Sequence, residues 1–249
     1  MFRCWSWFVL GMALCLLVAC TTVPVQTKEQ ALVHLRLGDS LLQEGRPTQA
    51  LAELLKAVDL DPDNPVIRNL LGIAYLEKGM FSQATDQFLK ALTLDPEYVE
   101  IHNNLGTALL RAGRVEEAIK EFKLALQNPL YTTPQFAQYN LGQAYYAQKD
   151  YSQAQKYYLE ALKNAPAYSL AYHGLGVALK ASQQPQEAAE ALKKAVEYAP
   201  NFAQAHYDLG EVMLELDQKP LARLAFMEVI RLAPESELGK RAQKRLREI

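Results

Sequence analysis

Cysteine is scarce and confined to one end: the chain of 249 residues holds three, Cys4, Cys15 and Cys20, all at or before position 20. From residue 21 onward there is no thiol for a disulfide, a thiolate metal site or a covalent nucleophile. Neither sign of charge dominates, with 26 Lys and Arg against 28 Asp and Glu for a net charge of -2. Phosphate backbones need a basic surface, so a nucleic-acid scaffold is disfavoured. Beyond the N-terminus no stretch is both long and apolar enough to span a bilayer. A Gly-rich phosphate loop, a G-x-S-x-G elbow and a Cys–His pair are all missing. Glu116 and Glu117 stand beside Lys120, and Glu187 and Glu190 beside Lys193 and Lys194, as on solvated helix faces rather than in a pocket of convergent carboxylates. The chain therefore reads as non-enzymatic, with no cofactor and no metal.

What is present is repetition. A glycine recurs at Gly38, Gly72, Gly106, Gly142, Gly176 and Gly210, each preceded by leucine. An alanine follows each by twelve residues, at Ala50, Ala84, Ala118, Ala154, Ala188 and Ala222, and the period is 34 except for one step of 36 between Gly106 and Gly142. Within a unit apolar residues fall twice at helical spacing, as in Leu70, Leu71, Ala74 and Tyr75, then Ala84, Phe88, Ala91 and Leu92. Each unit is thus two helices, and a helical hairpin of this size cannot bury its own apolar face, so the units must stack. Gly72 and Ala84 are expected where the two backbones approach, with Tyr75 and Phe88 filling the space beside them. In Leu71-Gly72-x-x-Tyr75, Ala84-x-x-x-Phe88, Ala91 and Pro96 the unit resembles the tetratricopeptide repeat. That resemblance implies an all-α, right-handed superhelical solenoid of six hairpins over residues 31–236.

Punctuation supports the same boundaries. Gly45, Gly79 and Gly113 suit left-handed turns inside the first three hairpins. Pro47, Pro185 and Pro220 suit the starts of second helices, and Asp61-Pro62 and Asp95-Pro96 suit their ends. The two extra residues lie within 127–134, where Pro129, Pro134 and an expected pair of exposed residues, Leu130 and Tyr131, read as an inter-repeat loop. Residues 237–249, with Leu238, Ala242 and Leu246 at four-residue spacing, read as a C-terminal capping helix that hides the last apolar face. Its outer side carries Lys240, Arg241, Lys244, Arg245 and Arg247, either a solvated cap or a basic docking patch.

The apolar run from Trp5 to Ala19 behind Arg3 is too short for a comfortable transmembrane helix and resembles a signal peptide, residues 1–19. It ends Leu17-Val18-Ala19-Cys20, which resembles a bacterial lipobox and implies acylation of Cys20; the alternative is a plain secretory signal or an uncleaved anchor in which Cys20 is incidental. Two or three acyl chains would anchor the protein durably, since each buried methylene contributes ~0.8 kcal/mol. Thr21 after the cysteine, by resemblance to lipoproteins of diderm bacteria, implies export to the outer membrane, facing the periplasm. Residues 20–30 then read as a lipidated tether.

In the implied architecture the first helix of each unit lines a concave groove. Its candidate binding residues are Asn69, Asn103, Asn104, Tyr139, Asn140, Tyr146, His173 and Tyr207: amides that donate and accept toward a peptide backbone, and tyrosines that supply contact area at low entropic cost. An ordinary wet groove is the alternative. His34, His102 and His206 share one repeat position in separate units, ~10 Å apart, too far for one metal shell, and read as packing residues. The slots that hold a carboxylate clamp in some relatives carry Leu35, Asp39, Leu70, Glu100 and Asn104, so that mode is absent, and Asp39, Glu77, Glu100, Glu211 and Glu215 favour neutral or basic segments.

The order of lipobox, six repeats and short cap resembles the pilotin lipoproteins of type IV pilus biogenesis. The stretch from Asn103-Asn104-Leu105-Gly106 through Asn128-Pro129-Leu130-Tyr131 to Asn140-Leu141-Gly142 carries that resemblance. It implies a protein partner, a secretin subunit, whose outer-membrane localisation and assembly the chain would promote. Two other scaffold roles fit the repeats: an adaptor for peptidoglycan hydrolases or other envelope machinery, and a regulatory subunit of an export or protease complex. Replacing Cys20 by Ser is expected to move the protein from membrane to soluble fractions; unchanged fractionation would refute lipid anchoring.

Overall fold

The computed structural model describes residues 25–249. Cys20 and the proposed signal segment lie outside the described residues. Thirteen α-helices and no strands are found among the described residues: α1 (Val25–Gln43), α2 (Pro47–Leu60), α3 (Pro65–Glu77), α4 (Phe81–Leu94), α5 (Val99–Arg111), α6 (Val115–Gln127), α7 (Pro134–Ala147), α8 (Tyr151–Asn164), α9 (Ser169–Ala181), α10 (Pro185–Tyr198), α11 (Ala203–Glu215), α12 (Lys219–Leu232) and α13 (Glu237–Glu248). The first twelve pair into six antiparallel hairpins, and each hairpin packs on the next to give an all-α solenoid. α1 begins at Val25, inside the span read as a tether from residue 20 to 30. The reason is local: Gln26, Lys28, Glu29 and Gln30 are good helix formers that extend the helix backward from its packed portion.

Helix ends follow the expected chemistry. Pro47, Pro65, Pro134 and Pro185 each open a helix, where the missing N–H costs nothing. The Asn64 side chain accepts from the N–H of Val66 and Ile67, and the Asp150 side chain from that of Gln153. Asp61, Asp95, Ala165, Ala199 and Ala233 stop their helices with φ between -137° and -146°, the extended backbone that the following proline imposes. Inside the hairpins Gly45, Gly79 and Gly113 adopt left-handed φ of 70°, 71° and 80°, and Lys149, Gln183 and Asp217 fill the same turn position in the later units at 64°, 62° and 54°. Those three side chains accept a conformation that glycine adopts without strain.

The repeat glycines make room for side chains more than for backbone. A Cβ at Gly38, Gly72, Gly106, Gly142, Gly176 or Gly210 would come within 2.5 to 2.6 Å of Leu54, Phe88, Phe122, Tyr158, Leu192 or Phe226, the large residue of the second helix in the same hairpin. Phe88, Phe122 and Phe226 are fully buried, as are Ala50, Ala84, Ala118, Ala154, Ala188 and Ala222. The glycine is thus the socket and the ring the plug.

The inserted loop departs from expectation in one residue. Leu130 is exposed, whereas Tyr131 is buried with Val99, Ala125 and Ala137. The Asn128 side chain accepts from the Leu130 N–H at 2.8 Å and its carbonyl from the Tyr131 N–H at 3.1 Å, turning the phenol inward to plug the seam between the third and fourth units. At the other end α13 lays Ala242, Leu238 and Leu246 on the core. Three of its five cations are engaged within the protein: Arg245 binds Glu211 through two nitrogens at 2.7 and 2.6 Å, Arg241 lies 4.5 Å from the Tyr207 ring centre, and Lys240 pairs with Glu237, whereas Lys244 and Arg247 are exposed.

Gly106→Leu should lower stability by about 1–3 kcal/mol, the usual cost of overpacking. An unaltered denaturant midpoint would contradict the socket-and-ring arrangement.

Candidate functional site

The groove is lined by α1, α3, α5, α7, α9 and α11, and two positions on these helices join one unit to the next. Asn104 donates its amide to Asn69 at 3.0 Å, and Asn140 donates to Asn103 at 3.0 Å and Thr107 at 3.3 Å. The His173 ring nitrogen donates to Asp208 at 2.7 Å, with Phe202 packed against the imidazole. Each rung runs from the residue three before one repeat glycine to the residue two before the next. The first rung is apolar, Leu35 with Leu70 in one cluster. Asn69, Asn103, Asn104 and Asn140 therefore spend polar capacity on stacking units together. Asn69 is 5% exposed and so has little left to offer a ligand.

The fourth rung cannot form. Its members are Tyr139 and Gly174, and glycine has no side chain to reach across. Tyr139 leans instead on Tyr158 and Tyr168, with ring centres 5.8 and 5.3 Å away. A Cβ at Gly174 would lie 2.6 Å from the Tyr158 ring and 3.0 Å from its hydroxyl oxygen, so the glycine admits that phenol to the groove side. At this gap lies a pocket of about 360 Å³ walled by Leu110 and Arg111 of the third unit, Tyr139, Gln143, Tyr146 and Tyr158 of the fourth, and His173, Gly174 and Val177 of the fifth. That volume lies in the range of small-ligand sites.

Among its polar groups Arg111 only donates, while the three tyrosine hydroxyls and Gln143 can donate as well as accept. Gln143 donates to the Tyr139 oxygen at 2.8 Å, which leaves the Tyr139 proton to point elsewhere. Burial pushes the Tyr158 phenol far above the ordinary tyrosine range and raises those of Tyr139 and Tyr146, so all three keep their protons at physiological pH. No carboxylate lines the pocket.

The structure thus brings Tyr139, Tyr146 and His173 together and assigns the four asparagines to rungs. Tyr207 does not face an open groove: it is 5% exposed beneath Arg241 of α13, with its ring 5.5 Å from that of Phe226. Sequence reading missed Tyr158, Gly174, Arg111 and Gln143. Gly174 carried a signal, because a second glycine two residues before Gly176 costs a helix about 1 kcal/mol relative to alanine without serving the repeat. The histidines also differ from simple packing residues. His34 and His102 donate to Glu53 and Glu121 at 2.6 and 2.7 Å, and Arg68 reaches Gln87 at 3.0 Å in the same slot of the second unit.

A larger hollow of about 860 Å³ lies between α8, α9 and α10, walled by Leu159, Leu162, Leu175 and Leu179. It opens because Ala191 occupies the slot that holds Glu53, Gln87 and Glu121 in the first three units.

Tetratricopeptide-repeat family models match residues 69–130, 173–237 and 135–168, and a TPR repeat model matches residues 38–79. No curated protein matches the sequence. Among solved structures the fold is similar to PilW, described as a widely conserved type IV pilus biogenesis factor, at TM-score 0.79 and 23% identity over 86% of this chain and 98% of that one. It is also similar to PilF of Pseudomonas aeruginosa, at TM-score 0.73 and 22% identity over 88% and 99% of the two chains. A third likeness, to the Cut9–Hcn1 hetero-tetramer of the APC/C, has TM-score 0.76 and 19% identity but covers 43% of that chain. At such identities these likenesses are of fold.

A double-mutant cycle on Asn69→Ala and Asn104→Ala should give a coupling of about 0.5–1.5 kcal/mol, the net worth of a protein hydrogen bond. Additive losses in the denaturant midpoint would remove the rung.

Proposed function

The chain belongs to the tetratricopeptide-repeat family, and from that premise we propose that it is a membrane-tethered protein-binding scaffold of the pilotin kind, which holds secretin subunits and promotes their outer-membrane localisation and assembly in type IV pilus biogenesis. The observation that carries this reading is the extent of the likeness to PilW, which runs through 98% of that chain, whereas the likeness to the Cut9 complex covers 43%. Stacks of repeats share local geometry with many scaffolds, so extent says more about kinship than local fit does.

The mechanism is capture without bond chemistry. Acylation at Cys20 would fix the chain to the bilayer, and the groove of α5, α7, α9 and α11 would hold a segment of the secretin. A tethered site raises the partner's effective concentration at the membrane, to the mM range for short flexible links. Lys180 pairs with Glu215 at 3.1 Å and Arg245 with Glu211, so two of the five groove carboxylates are already neutralised within the protein. The partner need not be strongly basic.

Crosslinked capture from membranes should recover a secretin. Replacing Gln143 by Ala and Tyr146 by Phe, which keeps the ring that packs on the core, should reduce that recovery severalfold while changing stability by no more than ordinary surface changes do, about 0.5 kcal/mol. Recovery of cell-wall hydrolases in place of a secretin would favour the adaptor role, and full recovery by the double variant would exclude the groove.

A further inference from the structure

The gap in the rung between the fourth and fifth units selects a kind of ligand. Tyr158 is 3% exposed, lines the pocket and makes no hydrogen bond through its hydroxyl among the described residues. No sealed side-chain polar atom lacks a partner among the described residues, so this hydroxyl is open to the pocket, where a ligand acceptor would replace water. Tyr139 offers a second proton, and Tyr146 and Arg111 further donors along the same wall. Arg111 has no carboxylate partner among the described residues; its neighbour is the Phe81 ring, 5.5 Å from the guanidinium carbon. Around these donors the surface is aromatic, with three phenol rings and no acidic group.

The complementary ligand presents carbonyl acceptors, few N–H donors and flat apolar faces. An α-helix does not qualify, because its carbonyls are spent internally. A cation finds no carboxylate on the pocket wall, and Asp208 behind His173 is already held by that ring at 2.7 Å and by Gln204 at 3.0 Å. A polyproline helix meets each requirement: it has no internal hydrogen bonds, its carbonyls face outward, and its rings stack on aromatic walls while proline contributes no N–H. The unpaired Arg111 at one edge adds charge complementarity for an acidic side chain. We infer that this pocket docks a proline-rich segment of a partner protein, held extended with an acidic residue beside Arg111. The inference rests on the groove being the surface of capture and specifies what that surface recognises.

Tyr158→Phe isolates the pocket from the fold, because phenylalanine is the native residue of the equivalent slot in the second, third and sixth units. The test measures binding of a synthetic proline-rich peptide with a terminal glutamate to the purified full chain in detergent, by fluorescence anisotropy. A peptide of equal charge with alanine at each proline is the control. The proline-rich peptide should bind saturably and the control about tenfold more weakly; Tyr158→Phe should weaken the former about fivefold, the loss of one hydrogen bond, and Arg111→Gln by a similar factor. Equal binding of the two peptides, binding of neither at millimolar concentration, or unchanged binding by Tyr158→Phe with its melting midpoint preserved would each overturn the inference. Secretin capture by Tyr158→Phe at the unmodified level would sink the pocket and leave the pilotin reading standing. Peptide binding without secretin capture would do the reverse.

Discussion

Everything in this molecule depends on one contact made six times: the vacancy at a glycine of the first helix, filled by a ring or a leucine from the second. The vacancy is useful only if the glycine sits in a helix, where it costs about 1 kcal/mol relative to alanine, and the plug is useful only if the vacancy is kept. Burying a large apolar side chain returns about 1.5–3 kcal/mol, so the exchange is favourable in each unit. It also fixes the angle between the helices, and through that angle the direction in which the next hairpin must stack. The alanines twelve residues on, all fully buried, let the facing helix lie close enough for the plug to seat.

Much of this was legible in the sequence because period is a covalent property. Gly72, Ala84 and Pro96 keep their spacing whether or not the chain is folded, and the helix boundaries they imply agree with α3 and α4. The socket partner was less legible, since Phe88 and Tyr75 are both large and only packing decides which fills the hole. Contacts between units escaped more fully. Asn104 and Asn69 look like free amides on a groove until the neighbouring helix is in place, and Tyr207 looks exposed until α13 covers it. Tyr131 shows the converse: the two extra residues mark a loop, but the asparagine turn that sends its phenol inward is a local geometry no spacing reveals.

Rungs and gaps then divide the groove into two kinds of surface. Where the asparagines bridge, the wall is self-satisfied and asks little of a ligand. Where Gly174 replaces a bridging side chain, the wall keeps hydroxyl donors that open onto the pocket instead of onto a neighbouring unit. The pocket thus takes the place of one bridge in the stack, between the fourth and fifth units. Fold likeness does not speak to this feature, which belongs to the residues of this chain.

The apolar interior itself is not continuous along the array. It falls into three main clusters, and the side chains that belong to two at once are Tyr75, shared by the first and second, and Tyr145, shared by the second and third. In a linear array stability is a sum of unit terms and neighbour terms. Two phenol rings, each stationed at a border, thus set how far a loosened unit can pull on its neighbours. The described core is thus divided into three blocks bordered at Tyr75 and Tyr145, and the pocket, walled by Leu110 of the second block and Tyr139 and Tyr158 of the third, straddles the Tyr145 border.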